Sequence, residues 1–199
     1  MDPHGLDIFN PIDVRTLGHK AFRTPGYKSN QALQSVLESP KITKVFFDVR
    51  NDSDALFAHF GIKLDGVQDL QLMEFASRGL RKGFLCGLVK CIDKHSPLSP
   101  AERREWIKVK DSGRKLFDPS SGGSYAVFDK RPLPTEILLY CIQDVQYLPQ
   151  LLLVYNQKLS PDWRHRVSRE SQQRIKLSQS AGYNGKGRHM ALPPAEWSS

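Results

Sequence analysis

A phenol and a carboxylate stand four residues apart at Tyr140 and Asp144, in a segment whose apolar residues recur with helical spacing. Residues four apart lie one turn apart on the same face of an α-helix, so the two side chains can meet one bound group. A carboxylate can ligate divalent cations, and a phenol hydroxyl can donate or accept a hydrogen bond. The same pair occurs by chance in many helices, so by itself it does not establish a catalytic site.

A second candidate, Asp52, follows a β-rich run that extends from Lys44 to Val49. Such a run predicts a strand buried on both faces of a sheet, and α/β sheets build their sites at the carboxyl ends of strands. Asp52 could instead cap the helix predicted to open at Asn51 or Asp52, a role that Asp fills well. Asp54 is expected to face the helix dipole from the first turn.

Both candidates belong to an ordered pattern, in which the run KVFFDVRNDSDALFAHFG is followed by VQDLQL and then by YCIQDVQYL. Over roughly residues 11–159 the chain resembles the DEDD superfamily of 3'-5' exonucleases, specifically the DEDDy branch that includes ribonuclease D and the Werner-type exonucleases. The resemblance implies an α/β, ribonuclease H-like exonuclease domain, with a mixed sheet flanked by helices and a helical C-terminal half.

The resemblance also implies roles for individual residues. Asp52 precedes Gly61 by nine residues, as the aspartate of the family's second motif precedes the glycine that closes its helix. Tyr140 and Asp144 match the third motif. By this matching Asp52, Tyr140 and Asp144 are catalytic: the two aspartates are metal ligands, and the tyrosine hydroxyl orients the attacking water. Asp69 matches a family position that we take to be structural.

The implied reaction is hydrolysis of the terminal phosphodiester bond at the 3' end of single-stranded RNA or DNA, with release of nucleoside 5'-monophosphates. Two carboxylate-bound divalent ions, Mg²⁺ or Mn²⁺, would activate the water and stabilise the leaving oxygen. The family's first motif, D-x-E, supplies part of this carboxylate set, and no D-x-E occurs in these 199 residues. We therefore expect the first strands and part of the two-metal site to be missing from this chain.

Asp7 and Asp13 are the acidic residues near the start that could substitute for the absent motif, although neither has its spacing. The chain is then either a fragment or mispredicted start of a longer protein, or a catalytically inactive homologue that has kept nucleic-acid binding. A third interpretation is a protein-interaction scaffold in which a partner docks on Trp106, Trp163 and the glycine-rich loop at 111–134. These two side chains could instead cover the core.

Alternating strand and helix patterns predict the sheet layer that positions Asp52. The strands are expected at 12–17, 44–49 and 67–70, and the helices at 29–39, 51–60 and 72–77. These elements predict that the first part of the chain is an α/β layer.

The rest of the chain has mainly helical patterns. We expect helices at 84–94 and 100–109, a glycine-rich loop at 111–134 and one long helix at 135–159. The core face of the long helix is expected to carry six residues: Leu138, Cys141, Ile142, Val145, Leu148 and Leu152.

The net charge of +8 is unevenly placed, and Arg78–Lys115 holds eleven Lys and Arg residues against four Asp and Glu. A basic patch near carboxylates is expected where a protein holds phosphates. We predict nucleic-acid contacts from Lys90, Lys94, Arg103, Arg104 and Lys108, with further contacts from Arg164, Arg166 and Arg169. The alternative for either patch is a solvated helix face.

The length of the chain predicts one domain plus a tail, and the resemblance implies that residues 1–159 are an exonuclease-like domain that is incomplete at its N-terminus. The composition of residues 160–199 predicts a basic helix followed by a disordered tail. No stretch approaches the roughly 20 apolar residues expected of a membrane span, and residues 1–10 lack a signal-peptide pattern. We therefore expect an intracellular protein, cytoplasmic or nuclear, without a membrane partner. Cys86, Cys91 and Cys141 form no C-x-x-C pair and are expected to be reduced core thiols.

Overall fold

The structure is a computed structural model that describes residues 11–79, 83–96 and 98–197. Within these residues the chain forms two compact units. The helical unit contains the residues up to Ala21 together with Ser96–Tyr147, and the sheet unit contains Phe22–His95 with the residues from Leu148 onward. This division does not follow the predicted boundary at residue 159, because the last long helix packs in the same unit as the sheet.

The described residues form ten α-helices and two β-strands. In chain order the helices are α1 (Val14–Leu17), α2 (Lys20–Arg23), α3 (Leu33–Glu38), α4 (Arg50–Phe60), α5 (Leu70–Ala76), α6 (Leu88–His95), α7 (Pro100–Phe117), α8 (Thr135–Gln146), α9 (Leu148–Lys158) and α10 (Pro161–Ser178). The strands are β1 (Lys44–Phe46), which lies between α3 and α4, and β2 (Val67–Asp69), which lies between α4 and α5.

The two strands of the sheet unit run parallel, with Lys44 opposite Val67 and Phe46 opposite Asp69. Parallel strands require a crossover connection, which α4 provides. The apolar cluster between sheet and helices contains Val49, Leu64, Val67 and Ile175. The predicted strands near residues 44–49 and 67–70 are therefore confirmed, together with the helix between them.

β1 ends earlier than predicted because the chain turns at Asp48, whose φ of +60° lies in the left-handed region. This conformation is rare for a residue other than glycine. The backbone N–H of Asp48 donates to the Asp69 carboxylate at 3.0 Å, which holds the turn in place. As a result α4 begins at Arg50, and it ends at Phe60 with Gly61 as its C-cap, as predicted.

The strand predicted at residues 12–17 is wrong, because Val14–Leu17 form the short helix α1. The carboxylate of Asp13 accepts a hydrogen bond from the backbone N–H of Thr16 at 3.2 Å and so caps the helix. An N-terminal cap of this kind favours a helical turn over an extended strand.

α7 extends beyond its predicted end at residue 109 and continues to Phe117. Its start agrees with the prediction, since Ser99 and Glu102 form a reciprocal capping box. Gly113 continues the helix instead of opening a loop, because it lies in contact with Tyr140 of α8. The predicted loop at 111–134 is correspondingly shorter, and it contains the 3-10 helices Pro119–Ser121 and Tyr125–Asp129.

The long helix predicted at 135–159 is confirmed as the nearly continuous pair α8 and α9. Its predicted core face is only partly right: Ile142 and Leu148 are buried, whereas Cys141 and Val145 are exposed. The reason is that α8 turns Tyr140 toward α7, which rotates Cys141 and Val145 outward. Of the three cysteines, only Cys91 is fully buried, so the core-thiol prediction fails for Cys141.

The segment Thr135–Lys158 is 24 residues long and is apolar enough to cross a membrane when length and composition alone are considered. The sequence prediction that no stretch approaches this limit was therefore wrong. Core helices of soluble proteins meet the same criterion. In this structure α8 packs against α7, and α9 packs against α5.

α10 is confirmed as the predicted final helix, but the residues that follow it do not form the predicted disordered tail. Residues 180–197 include the 3-10 helices Arg188–Ala191 and Ala195–Trp197. The buried ring of Trp197 lies 6.3 Å from that of Phe75 and 5.2 Å from that of Trp163. Burial of this aromatic side chain gives the end of the chain an anchor on the sheet unit.

Candidate functional site

Tyr140 and Asp144 lie one turn apart on α8, where the helical unit packs α8 against α7. Gly113 of α7 permits the close approach, because a Cβ added there would lie 2.5 Å from the Cβ of Tyr140. The ring of Phe117 also meets Tyr140 edge to face, with 5.1 Å between the centroids. The predicted pair is therefore positioned by helix packing within one unit.

The Asp144 carboxylate is not free, because the ammonium group of Lys110 on α7 bonds to its Oδ1. The Lys110 Nζ also lies 4.8 Å from the ring centroid of Tyr140 and 5.4 Å from that of Trp106. These distances are within the range of cation–π attraction. Lys110 was not singled out by sequence reasoning, because no local pattern links it to a residue on another helix.

The hydroxyl of Tyr140 also interacts with Asp144. Burial of the phenol, followed by the negative charge of Asp144, raises the pKa of Tyr140 to about 12. The hydroxyl is therefore protonated at neutral pH and is available as a hydrogen-bond donor. The arrangement can hold a donor and a carboxylate side by side, with an ammonium group beside both.

Asp52 lies in the sheet unit, exposed in the first turn of α4. It is not the N-cap, which was the structural alternative from the sequence: Val49 takes that position, without a side-chain cap. A carboxylate in the first turn is favoured by the helix dipole. The structure thus places Asp52 in one unit and the Tyr140 and Asp144 pair in the other.

A buried ion network occupies the carboxyl ends of the two strands. The carboxylate of Asp69, which is fully buried, accepts hydrogen bonds from the backbone N–H groups of Asp48, Val49 and Gln71 at 3.0 to 3.3 Å. It also accepts a hydrogen bond from Nη1 of Arg174 at 2.7 Å. These contacts support the structural role that the resemblance suggested for Asp69.

Two arginines complete this network. Arg174 of α10 also donates to Oε1 of Gln71 at 3.0 Å and lies 3.5 Å from Oδ1 of Asp48. Arg50 donates to both oxygens of Asp48, at 2.6 and 2.7 Å, and to the carbonyl of Met190 at 2.8 Å. Sequence reasoning missed Arg174. A signal existed, because it falls at helical spacing among four buried positions, Val167, Ser171, Ile175 and Ser178.

The residues present do not fit the two-metal site that the resemblance implies. Within residues 11–79, 83–96 and 98–197 no group of three or more His, Cys, Asp or Glu side chains could hold a metal ion. The proposed ligand Asp144 is engaged by Lys110. Asp13, the acidic residue that was predicted as a substitute ligand, is engaged elsewhere: its carboxylate accepts hydrogen bonds from Arg131 and Thr16. These contacts lower the pKa of Asp13 far below the usual range. Asp7 lies outside the described residues.

The five residues of the first predicted basic patch lie on two helices. Lys90 and Lys94 are exposed on α6 in the sheet unit. In the helical unit Arg104 and Lys108 are exposed on α7, and Arg103 is half-buried. Lys108 makes only a loose pair with Glu105, at 3.7 Å between strongly exposed side chains. An ion pair of this kind contributes little stability, so Lys108 can exchange it for a phosphate.

The further basic residues Arg164, Arg166 and Arg169 are exposed on α10. The guanidinium of Arg166 lies 5.1 Å from the ring centroid of Trp163. Trp163 in turn packs on Trp197, and Trp106 is only 4% exposed. The core interpretation of both tryptophans is therefore favoured over their use in docking a partner.

Comparison with known proteins agrees with this architecture. Residues 18–92 match the model of a 3'-5' exonuclease family. Over 156 residues the chain is 26% identical to the piRNA biogenesis protein EXD1 of Mus musculus, a match that covers 76% of this chain and 25% of that protein. Such a span leaves most of the relative's length without a counterpart.

The fold is similar to that of Trypanosoma brucei RNase D. One structure of that protein superposes with a TM-score of 0.64 at 26% identity, covering 92% of this chain and 59% of the other. The superposition on its complex with RNA U12 has a TM-score of 0.63 at 24% identity and covers 92% of this chain and 57% of the other. The resemblance to 3'-5' exonucleases and the α/β fold class are thereby confirmed.

Proposed function

Because the chain carries a DEDD-type 3'-5' exonuclease-like domain with the ribonuclease H-like fold of ribonuclease D, we propose that it binds the 3' end of single-stranded RNA. RNA is favoured over DNA by two relatives: one is named for piRNA biogenesis, and the other has been solved with RNA U12. Both are similar to this chain only over part of their own length.

The observation that carries the proposal is the charge of α7, which has six Lys and Arg residues against three Asp and Glu. Its inward face contains Trp106 and Gly113, which are buried, so the exposed Arg104 and Lys108 are directed away from that packing. Cationic side chains on an exposed helix face can bind phosphates of a nucleic acid. The counterions condensed on the nucleic acid are then released.

Removing these two charges should weaken RNA binding and reduce its salt dependence. Affinity falls as salt rises, and each phosphate contact on a single strand adds about 0.7 to the steepness of the plot of log affinity against log salt. For an Arg104→Gln/Lys108→Gln variant, which removes two contacts, we expect this plot to be less steep by about 1.4. Fluorescence anisotropy with a 5'-labelled single-stranded RNA between about 50 and 200 mM salt measures this slope.

The matched control is Lys28→Gln/Lys63→Gln, which removes two exposed charges that lie outside α7. This control should retain the wild-type slope. Equal slopes for wild type and both variants would show that α7 does not hold the RNA. Equal affinity for single-stranded DNA of the same sequence would argue against a preference for RNA.

Hydrolysis is the second candidate function, and the observation that favours it is the Tyr140 and Asp144 pair on one turn of α8. As the resemblance implies, this would be phosphodiester hydrolysis that depends on Mg²⁺ or Mn²⁺ and releases nucleoside 5'-monophosphates. The described residues do not group the ligands that such a reaction requires. We therefore expect this chain by itself to bind RNA without degrading it.

This expectation is checked by incubating a single-stranded RNA with the chain and Mn²⁺ or Mg²⁺ and separating the products. The RNA should stay intact while anisotropy shows that it is bound. Release of nucleoside 5'-monophosphates by the wild type, with loss of release in both Asp52→Asn and Asp144→Asn, would instead establish hydrolysis.

A further inference from the structure

Lys110 is the cation that the structure places against the carboxylate of Asp144. Its ammonium group bonds to Oδ1 of the carboxylate, and its side chain is only 17% exposed, against 36% for that of Asp144. The lysine is therefore the more enclosed member of the pair. Its position differs from that of the exposed lysines on the same helix, which extend into solvent.

Packing holds the ammonium group in this position. The rings of Trp106 and Tyr140 lie within 5.4 and 4.8 Å of Nζ, and Trp106 is itself 4% exposed. The contact between Gly113 and Tyr140 brings α7 directly against α8 one turn further along. A lysine between two fixed aromatic rings loses favourable cation–π contacts when it leaves them.

A divalent ion and this ammonium group compete for the same carboxylate oxygen. Mg²⁺ binds carboxylate oxygen at about 2.0–2.1 Å and requires near-octahedral access. The same Oδ1 already accepts the ammonium group, and two cations on one oxygen repel each other strongly in a partly buried site. Metal binding through Oδ1 of Asp144 would therefore require Lys110 to move out of its aromatic contacts.

We infer that Lys110 is a built-in cation that takes the place of a divalent metal ion at Asp144 and excludes Mg²⁺ and Mn²⁺ from this carboxylate. The inference rests on the proposed function in one respect, namely that Tyr140 and Asp144 correspond to the metal-binding helix of the exonuclease fold. It deepens that function, because RNA binding by this chain then needs no divalent ion.

The test is a direct titration of the protein with Mn²⁺, in which electron paramagnetic resonance measures the concentration of the free ion. This titration requires neither RNA nor enzymatic activity. Wild type should show no Mn²⁺ binding that depends on Asp144. Lys110→Met should bind Mn²⁺ at least about tenfold more tightly than wild type, and Lys110→Met/Asp144→Asn should lose the gain. Lys115→Met, which removes an exposed lysine from the same helix, is the matched control and should behave as wild type.

Two outcomes overturn the inference. Mn²⁺ binding by wild type that disappears in Asp144→Asn would show that the ammonium group does not exclude the metal. A folded Lys110→Met that gains no affinity would show that something other than Lys110 keeps the ion away. Lys110→Gln, which keeps a polar group of similar length, repeats the test if Lys110→Met does not fold.

A measurement of RNA binding distinguishes a failure of this inference from a failure of the proposed function. Anisotropy with single-stranded RNA is measured in EDTA and in Mg²⁺, and the affinities should agree within about twofold at matched ionic strength. Absence of RNA binding in both conditions would contradict the proposed function and leave the Mn²⁺ result standing. Binding that requires Mg²⁺ would overturn the inference.

Discussion

Replacing Arg174 with methionine is expected to destabilise the protein by about 3–5 kcal/mol, because it leaves a buried carboxylate without its counter-charge. Asp69 is fully buried, and Arg174 is the cation that contacts it directly, at 2.7 Å. The same guanidinium joins α10 to Gln71 at the start of α5. A loss of this size is a large part of the free energy of unfolding of an ordinary domain.

Urea unfolding followed by circular dichroism measures the change as a shift of the midpoint. Lys176→Met is the control, since it removes an exposed cation two residues further along the same helix. It should alter the free energy of unfolding by less than about 0.5 kcal/mol. If Arg174→Met were as stable as this control, the buried ion network would not contribute to stability in the way that its geometry indicates.

Gly113→Ala should also destabilise the protein, by about 1–3 kcal/mol, although alanine is intrinsically the better helix former by about 1 kcal/mol. The added Cβ would lie 2.5 Å from the Cβ of Tyr140, which is closer than two carbon atoms can pack. α7 and α8 must then separate, and the Tyr140 and Asp144 face moves relative to Lys110.

The same unfolding experiment on Gly182→Ala supplies the control, because a Cβ at position 182 meets no atom within 4 Å. We expect that variant to retain wild-type stability. A stabilised Gly113→Ala, as helix propensity alone would produce, would mean that α7 and α8 do not pack as closely as the structure shows.

Local signals in the sequence were sufficient to predict several elements. The starts of α7 and α10 follow from Ser99 and Ser160, each of which accepts a hydrogen bond from a backbone N–H in the first turn of its own helix. The end of α4 follows from Gly61, whose φ of +67° suits glycine. Such features depend on residues a few positions apart, and the sequence displays them directly.

Other features depend on partners that are distant in the chain. The contact between Asp69 and Arg174 joins residues 105 positions apart, and that between Lys110 and Asp144 joins residues 34 apart. The predicted core face of α8 failed for the same reason, because apolar spacing does not reveal which side of a helix a neighbour will cover. The predicted disordered tail is wrong at Trp197, because its ring packs against that of Phe75, a residue more than 100 positions away.

The sequence by itself determined the family resemblance, the two strands with the helix between them, and the placement of Tyr140 and Asp144 on one helical turn. Only the tertiary structure decided that a lysine from a neighbouring helix neutralises Asp144 and that Asp69 is tied into a buried ion network. The physical reason is that helix periodicity and capping act over a few residues, whereas the charge around a carboxylate is set by whichever side chains folding brings beside it.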